Sequence, residues 1–279
     1  MLPLLRSELF RLNRRWMPRI LLGISVIIIA FLYALFWLLL RTDSGTASDL
    51  DRLRENLRLA AVRGTGLGFV ALFGTTVVVI LTASLIGSEF GWGTIRTILP
   101  RARSRSAFLT AKVVTSVLFA VVVTVVGAVV AIIGSGFITI TEHLSGGLGP
   151  DGTLRFAEAT GRTFYTMIPY LALTLCLTVW TRSVAAGIGG GVSFLFLQGA
   201  VVELISLAGG PFDRLPGALI DRNVQALLAA NSAGLPDNYF SSTQAMPGVW
   251  QAAGVLAVYT VGFLALSYYR LSRRDITVS

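Results

Sequence analysis

The sequence predicts an all-α integral membrane protein with six transmembrane helices, and three observations carry that prediction. A run without charge extends from Ile20 to Leu40, and runs of the same kind recur five more times. At about 1.5 Å of rise per residue, each can cross the roughly 30 Å hydrocarbon core of a bilayer. The chain is also 54% hydrophobic and only 13% charged, with a mean hydropathy of +0.75, well beyond an average soluble domain. Finally, the basic residues alternate between loops. Placing the N-terminus, residues 88–112, Arg182 and the C-terminus on one side collects 14 Lys+Arg and 3 Asp+Glu there. The other side holds 9 and 10, and Glu203 remains within a span. Such asymmetry predicts that both termini are cytoplasmic.

The first span, about 20–40, follows a segment in which Leu2, Leu5, Leu9, Leu12 and Trp16 share one helical face while Arg6, Arg11, Arg14 and Arg15 lie off it. That pattern predicts an interfacial helix with its arginines near anionic headgroups, and Pro18 offers a bend into the span. The apolar run is too long for the core of a signal peptide, so a retained span is expected. In the outer loop, Leu50, Leu53 and Leu57 share a face, and Ser48 and Asp51 have capping-box spacing. A short amphipathic helix is expected there, as a solvated or interfacial cap. The second span covers about 68–88. The third, about 108–140, is longer than a bilayer requires and predicts tilt or projection.

Residues 141–162 form an outer segment, followed by a fourth span at about 163–180 and a fifth at about 184–207. Only Thr181, Arg182 and Ser183 separate these two, which predicts a tight cytoplasmic hairpin. Ser183, Gly187 and Gly191 form a small-xxx-small ladder suited to close helix packing. Residues 209–247 are rich in Gly, Pro and Asn, yet Leu219, Val224, Leu227 and Leu228 make one apolar face. With Asp221 and Arg222 in its middle this stretch is too polar to span, and short re-entrant or interfacial helices are expected. The sixth span, about 249–269, ends at Arg270, Arg273 and Arg274. The chain reads as one transmembrane domain over residues 1–279, with no soluble domain.

Several chemistries are excluded. The placement of the +9 net charge follows membrane topology, which makes nucleic acid a poor partner. A phosphate-binding P-loop needs GxxxxGK[ST], and the only lysine, Lys112, is followed by Val113 without a glycine loop before it. Hydrolysis of ATP by such a site within this chain is therefore excluded. Gly64, Gly66 and Gly68 follow no predicted strand and lack the dinucleotide-binding spacing. One cysteine, Cys176, permits neither an intramolecular disulfide nor a cysteine-based metal cluster, and His143 alone forms neither a zinc site nor a triad. No enzyme activity, metal or bound cofactor is expected of the chain. Glu203 is an ionisable residue inside a span and, with Gln198 deeper on the same helix, is a candidate for a transport path.

Between the second and third spans stand Glu89, Gly93, Thr94, Arg96, Leu99, Pro100, Arg103, Arg105 and Lys112. Physically, Glu89 ends a span, Gly93 permits a turn, Thr94 can cap a short helix along the cytoplasmic face, and Pro100 stops it. A plain basic loop is the simplest reading of these residues. Their order nevertheless resembles the membrane subunits of type-2 ATP-binding cassette transporters, the ABC-2 permeases. The tail from Tyr269 to Ile276, with Arg273, Arg274 and Asp275, resembles the end of such subunits. The resemblance extends over the whole chain, from interfacial N-terminal helix to the re-entrant segment before the sixth span.

The resemblance implies a cytoplasmic coupling helix within residues 89–112, with Glu89, Gly93, Thr94, Arg96, Pro100, Arg103, Arg105 and Lys112 as coupling residues. It implies partners as well: separate cytoplasmic ATPase subunits carrying ATP and Mg, and a second permease subunit, the same or homologous. The expected activity is export of a hydrophobic or amphipathic compound across the plasma membrane, and the expected source is bacterial. The alternatives are an ion-gradient-driven secondary carrier, motivated by Gln198 and Glu203, and a non-transporting membrane scaffold subunit.

Overall fold

The computed structural model describes residues 8, 10, 12, 14–42, 46–91, 105–147, 149, 151–208, 216–233 and 246–273. Among them there is no strand, and six helices are long and apolar enough to cross a membrane. These are α1 (Trp16–Arg41), α3 (Thr65–Gly91), α4 (Arg105–Thr141), α5 (Gly152–Thr181), α6 (Val184–Ala208) and α8 (Val249–Arg273). Two shorter helices, α2 (Ala47–Leu57) and α7 (Ile220–Asn231), lie between them. The chain is a multi-pass, all-helical membrane protein.

Burial divides the six. In the most apolar windows, 78% of α3 and 72% of α5 is buried, against 22% of α1 and 11% each of α6 and α8. The bundle is therefore built on α3 and α5, and the other helices present much of their surface to lipid. In α1 the buried residues Leu21, Ser25, Ile29, Tyr33 and Leu40 recur every four or seven positions and form one stripe against α4. Ile20, Ile27, Phe31 and Leu38 cover its opposite, exposed face. Contact between α1 and α4 is close because Gly134 lacks a side chain. A Cβ there would stand 2.5 Å from the Tyr33 ring. The Tyr33 hydroxyl meets Ser135 Oγ at 2.9 Å, so its polar end is satisfied away from water.

A π-helical turn at Val70–Gly74 interrupts α3, and Gly127 and Gly74 make room around it for Val70 and Met167. Four buried threonine hydroxyls within the spans are satisfied locally. Thr82, Thr115, Thr124 and Thr178 each donate to the carbonyl four residues back.

The break before α1 falls at Arg15, whose backbone is extended, and not at Pro18. Pro18 occupies the first turn, where its missing N–H has no intrahelical acceptor to lose. The outer helix α2 is capped by Thr46 and not by Ser48. The Thr46 side chain accepts from the Asp49 N–H at 3.4 Å and donates to Asp49 Oδ2 at 2.6 Å. Nor is α2 a solvated cap: Leu50, Leu53 and Leu57 join the main core beside Val62 and Ile138. The fourth span is also longer than expected, since its helix starts at Gly152 and absorbs eleven residues of the expected outer segment. The pair Glu158–Arg162 braces this extension one helical turn apart, while Phe156 and Ala159 pack on the main core.

Between α5 and α6 the three-residue turn closes through Arg182, which is left-handed at φ 56° and donates its N–H to the Thr178 carbonyl at 2.8 Å. Ser183 caps α6, its Oγ accepting from the Ala186 N–H at 3.3 Å. Gly187 and Gly191 do face neighbours. A Cβ on Gly187 would lie 2.1 Å from Thr178 Oγ1, and one on Gly191 2.7 Å from Val79. Within residues 209–247 the described part holds a 3₁₀ turn at Pro216–Ala218 and a short helix, α7, packed on α8 and α5 through Ile220, Val224 and Leu227, while residues 209–215 and 234–245 lie outside the described residues. Arg270 over Trp180 at one end and Arg41 over Trp37 at the other place cation-bearing aromatics at both ends of the bundle.

Candidate functional site

Two sequence-predicted coupling residues far apart in the chain come together. Lys112, two turns into α4, is 1% exposed, and its Nζ donates to Glu89 Oε1 at 2.5 Å and to Glu8 Oε2 at 2.7 Å. Glu89 is 2% exposed near the end of α3, and Glu8 is 4% exposed ahead of α1. The Phe108 ring lies 5.5 Å from the ammonium, one turn before it. Helical spacing explains the arrangement on α4: Phe108, Lys112, Thr115 and Phe119 recur on one buried stripe.

Burial gives this cluster its consequence. One cation bridges two carboxylates from different elements where water is largely excluded, and removal of the ammonium takes away the charge that both carboxylates contact. Glu89 and Lys112 stand on either side of residues 92–104, and the bridge ties the end of α3 to α4 and to Glu8. Arg105 adds a second tie. Its Nη1 donates to the carbonyls of Leu271 at 3.3 Å and Ser272 at 3.2 Å, where positive charge suits the C-terminal end of α8. Thr110 and Tyr268 hydroxyls meet at 2.6 Å one turn further along. Gly93, Thr94, Arg96, Pro100 and Arg103 lie outside the described residues. Their flanks are thus joined to α3, α4, α8 and the N-terminal region.

Gln198 and Glu203 are not brought together. Gln198 is 8% exposed and donates through Nε2 to the Tyr170 hydroxyl, whereas Glu203 is on the exposed surface of α6. Five residues on a helix amount to about 140° of rotation beyond a full turn, which separates their faces. Around Gln198 a cavity of about 270 Å³ opens between α3, α5, α6 and α7, lined by Thr75, Thr166, Tyr170, Asp221 and Gln225. Burial holds the Asp221 carboxyl above its ordinary range, outweighing the opposing effects of Gln225 and Arg222. No group of three or more His, Cys, Asp or Glu suited to a metal occurs among the described residues.

Glu8 was not marked by sequence pattern, although it is the only acidic residue before Asp43 in an arginine-rich stretch, a sign of an internal partner. Tyr170 and Asp221 give no comparable local signal. Comparison with known proteins finds no match among curated proteins. A family profile does match, over residues 50–277, from α2 into the C-terminal tail and including Glu89, Lys112 and the cavity. Its description assigns no activity. The chain belongs to that family, described as Protein of unknown function (DUF2705).

Proposed function

We propose that the chain is the permease subunit of an ATP-binding cassette transporter, an exporter of a hydrophobic or amphipathic compound powered by a separate ATPase subunit. The observation that carries this reading is the Lys112 bridge to Glu89 and Glu8. A cytoplasmic ATPase pressing on residues 92–104 needs that segment to be fastened to the spans, and the bridge supplies the fastening. Displacement of the segment then transmits to α3 and α4 as packed bodies, while Arg105 passes it to α8. ATP-driven closure of the partner favours one arrangement of the spans through differential binding, which is a shift between inward-facing and outward-facing populations.

In this reading both termini and the α5–α6 turn face the cytoplasm of a bacterial plasma membrane. A second permease subunit covers part of the exposed surface, and ATP and Mg reside on the ATPase. The order of residues 89–112 and the six-span architecture support the same assignment. The experiment is reconstitution with the ATPase partner after replacing Gly93, Thr94 and Arg96 together by alanine. Hydrolysis should persist while ATP-dependent transport falls, with membrane insertion intact. Undiminished coupling of hydrolysis to transport in that variant would remove the assigned role.

A further inference from the structure

The cavity between α3, α5, α6 and α7 has unfulfilled hydrogen-bonding capacity. Gln198 lines it, more than nine-tenths buried, and its Oε1 has no hydrogen-bond partner. The Tyr170 hydroxyl can serve either amide atom, and it is the Leu195 carbonyl, an acceptor only, at 3.4 Å that places Nε2 on that side. The free atom is therefore the acceptor. Asp221, in the first turn of α7, lines the same cavity. A carboxylate there suits the helix dipole, but the dipole leaves the Gln198 oxygen unexplained. Thr75 and Thr166 spend their protons on backbone carbonyls and turn only acceptor oxygens to a ligand. The polar wall is thus rich in acceptors and carries a carboxylate, while Leu72, Leu195, Phe196 and Val224 supply an apolar wall.

We infer that this cavity binds a small organic cation, a protonated amine carried on an apolar body, with Asp221 and the Gln198 amide oxygen receiving the ammonium. The chemistry follows from the carboxylate and the open acceptor at the site: an ammonium brings hydrogen atoms and positive charge, whereas a carboxylate or phosphate would bring further acceptors and like charge. At about 270 Å³ the space lies just under the usual range for small-molecule sites, which restricts the ligand to roughly one ring and a short chain. Arg222, the next residue on the same helix, and the Gln225 hydrogen bond favour the ionised form of Asp221 against the effect of burial. The π-helical turn contributes Ala71 and Leu72 to the wall, a place where such turns commonly serve ligands. From Glu89 to Thr75 is about 21 Å along α3, so this site is remote from the Lys112 bridge and does not rest on the ATPase reading.

The test is equilibrium dialysis of the full chain in mild detergent against radiolabelled 2-phenylethylamine, with 2-phenylethanol and 3-phenylpropionate as neutral and anionic competitors. Saturable binding at one site per chain is expected, with competition by unlabelled amine and little by either control. Asp221→Asn and Gln198→Leu should each weaken it roughly tenfold or more, since the first removes the negative charge and the second an acceptor for a charged donor. Gln251→Ala, on the exposed face of α8, should bind as the native chain does. Thermal midpoints of all variants, measured without ligand, separate lost binding from lost fold. The inference is overturned by the absence of saturable amine binding to the native chain, by equal competition from 2-phenylethanol, or by native affinity in both folded cavity variants. None of these outcomes bears on ATPase coupling.

Discussion

Replacing Lys112 by methionine removes a charge while nearly keeping the length of the side chain. Glu8 and Glu89 would then remain 4% and 2% exposed without the ammonium that both contact. Breaking a buried ion pair by deleting one partner costs about 3–5 kcal/mol, chiefly as the penalty of the abandoned charge. For 279 residues at about 2.1 cal/mol/K each, the transition entropy is about 0.6 kcal/mol/K. The thermal midpoint in detergent should accordingly fall by about 5–9 °C. Its cause is tested by adding Glu8→Gln and Glu89→Gln to the Lys112→Met variant. The triple variant carries no stranded charge and should recover most of the loss, because a neutral cluster of similar volume is commonly tolerated where a broken pair is not. Midpoints are read by fluorescence-detected size exclusion after heating. A single variant as stable as the native chain, or a triple variant no better than the single one, would refute the bridge.

The remaining predictions concern packing, protonation and topology. Gly187→Ala introduces a Cβ 2.1 Å from Thr178 Oγ1 and 3.0 Å from the Ala83 methyl, and should cost about 1–3 kcal/mol by overpacking. Gly189→Ala, with nothing within 4 Å, should be neutral or stabilising, and equal losses at both positions would contradict the packing assignment. Because burial raises the Asp221 carboxyl in the folded state, its neutral form favours folding. Native stability relative to Asp221→Asn is therefore highest below the unfolded value of about 3.9 and declines as pH rises through the raised folded value. Thermal melts of the pair from pH 3 to 8 should show the native midpoint falling relative to that of the variant, and a native midpoint that rises relative to the variant would oppose it. For topology, with Cys176 replaced by alanine, Ser145→Cys should react with an impermeant maleimide on intact cells. Thr181→Cys should react only after lysis, and the reverse pattern would invert the orientation.

The spans were legible because hydrocarbon imposes one requirement along an entire helix: about 20 residues without charge, every backbone group satisfied within the segment. What runs past that requirement was less visible. Asp151, just before α5, and the first eleven residues of the helix hold the pairs Asp151–Arg155 and Glu158–Arg162, which look like an exposed loop until their four-residue spacing is taken as helix pairing. The same limit applies to α2, whose leucine stripe was legible while its burial depended on α4 and α1 passing above it. Glu89 and Lys112 stood out through their order in the chain, but their direct contact and the arrival of Glu8 are long-range facts. Likewise Gln198 was noticed as a polar residue in a span. Its pairing with Glu203 failed because the two face different ways, and Tyr170 and Asp221 reach it from other helices.

The most direct test of the permease assignment is purification of the tagged chain from its native membrane in mild detergent, with mass spectrometry of whatever remains bound in stoichiometric amount. The account predicts recovery of an ATP-binding cassette ATPase, lost when residues 93–96 are replaced and weakened by Lys112→Met. Recovery of a folded chain without any ATPase, moving solute in vesicles that contain no ATP, would contradict it.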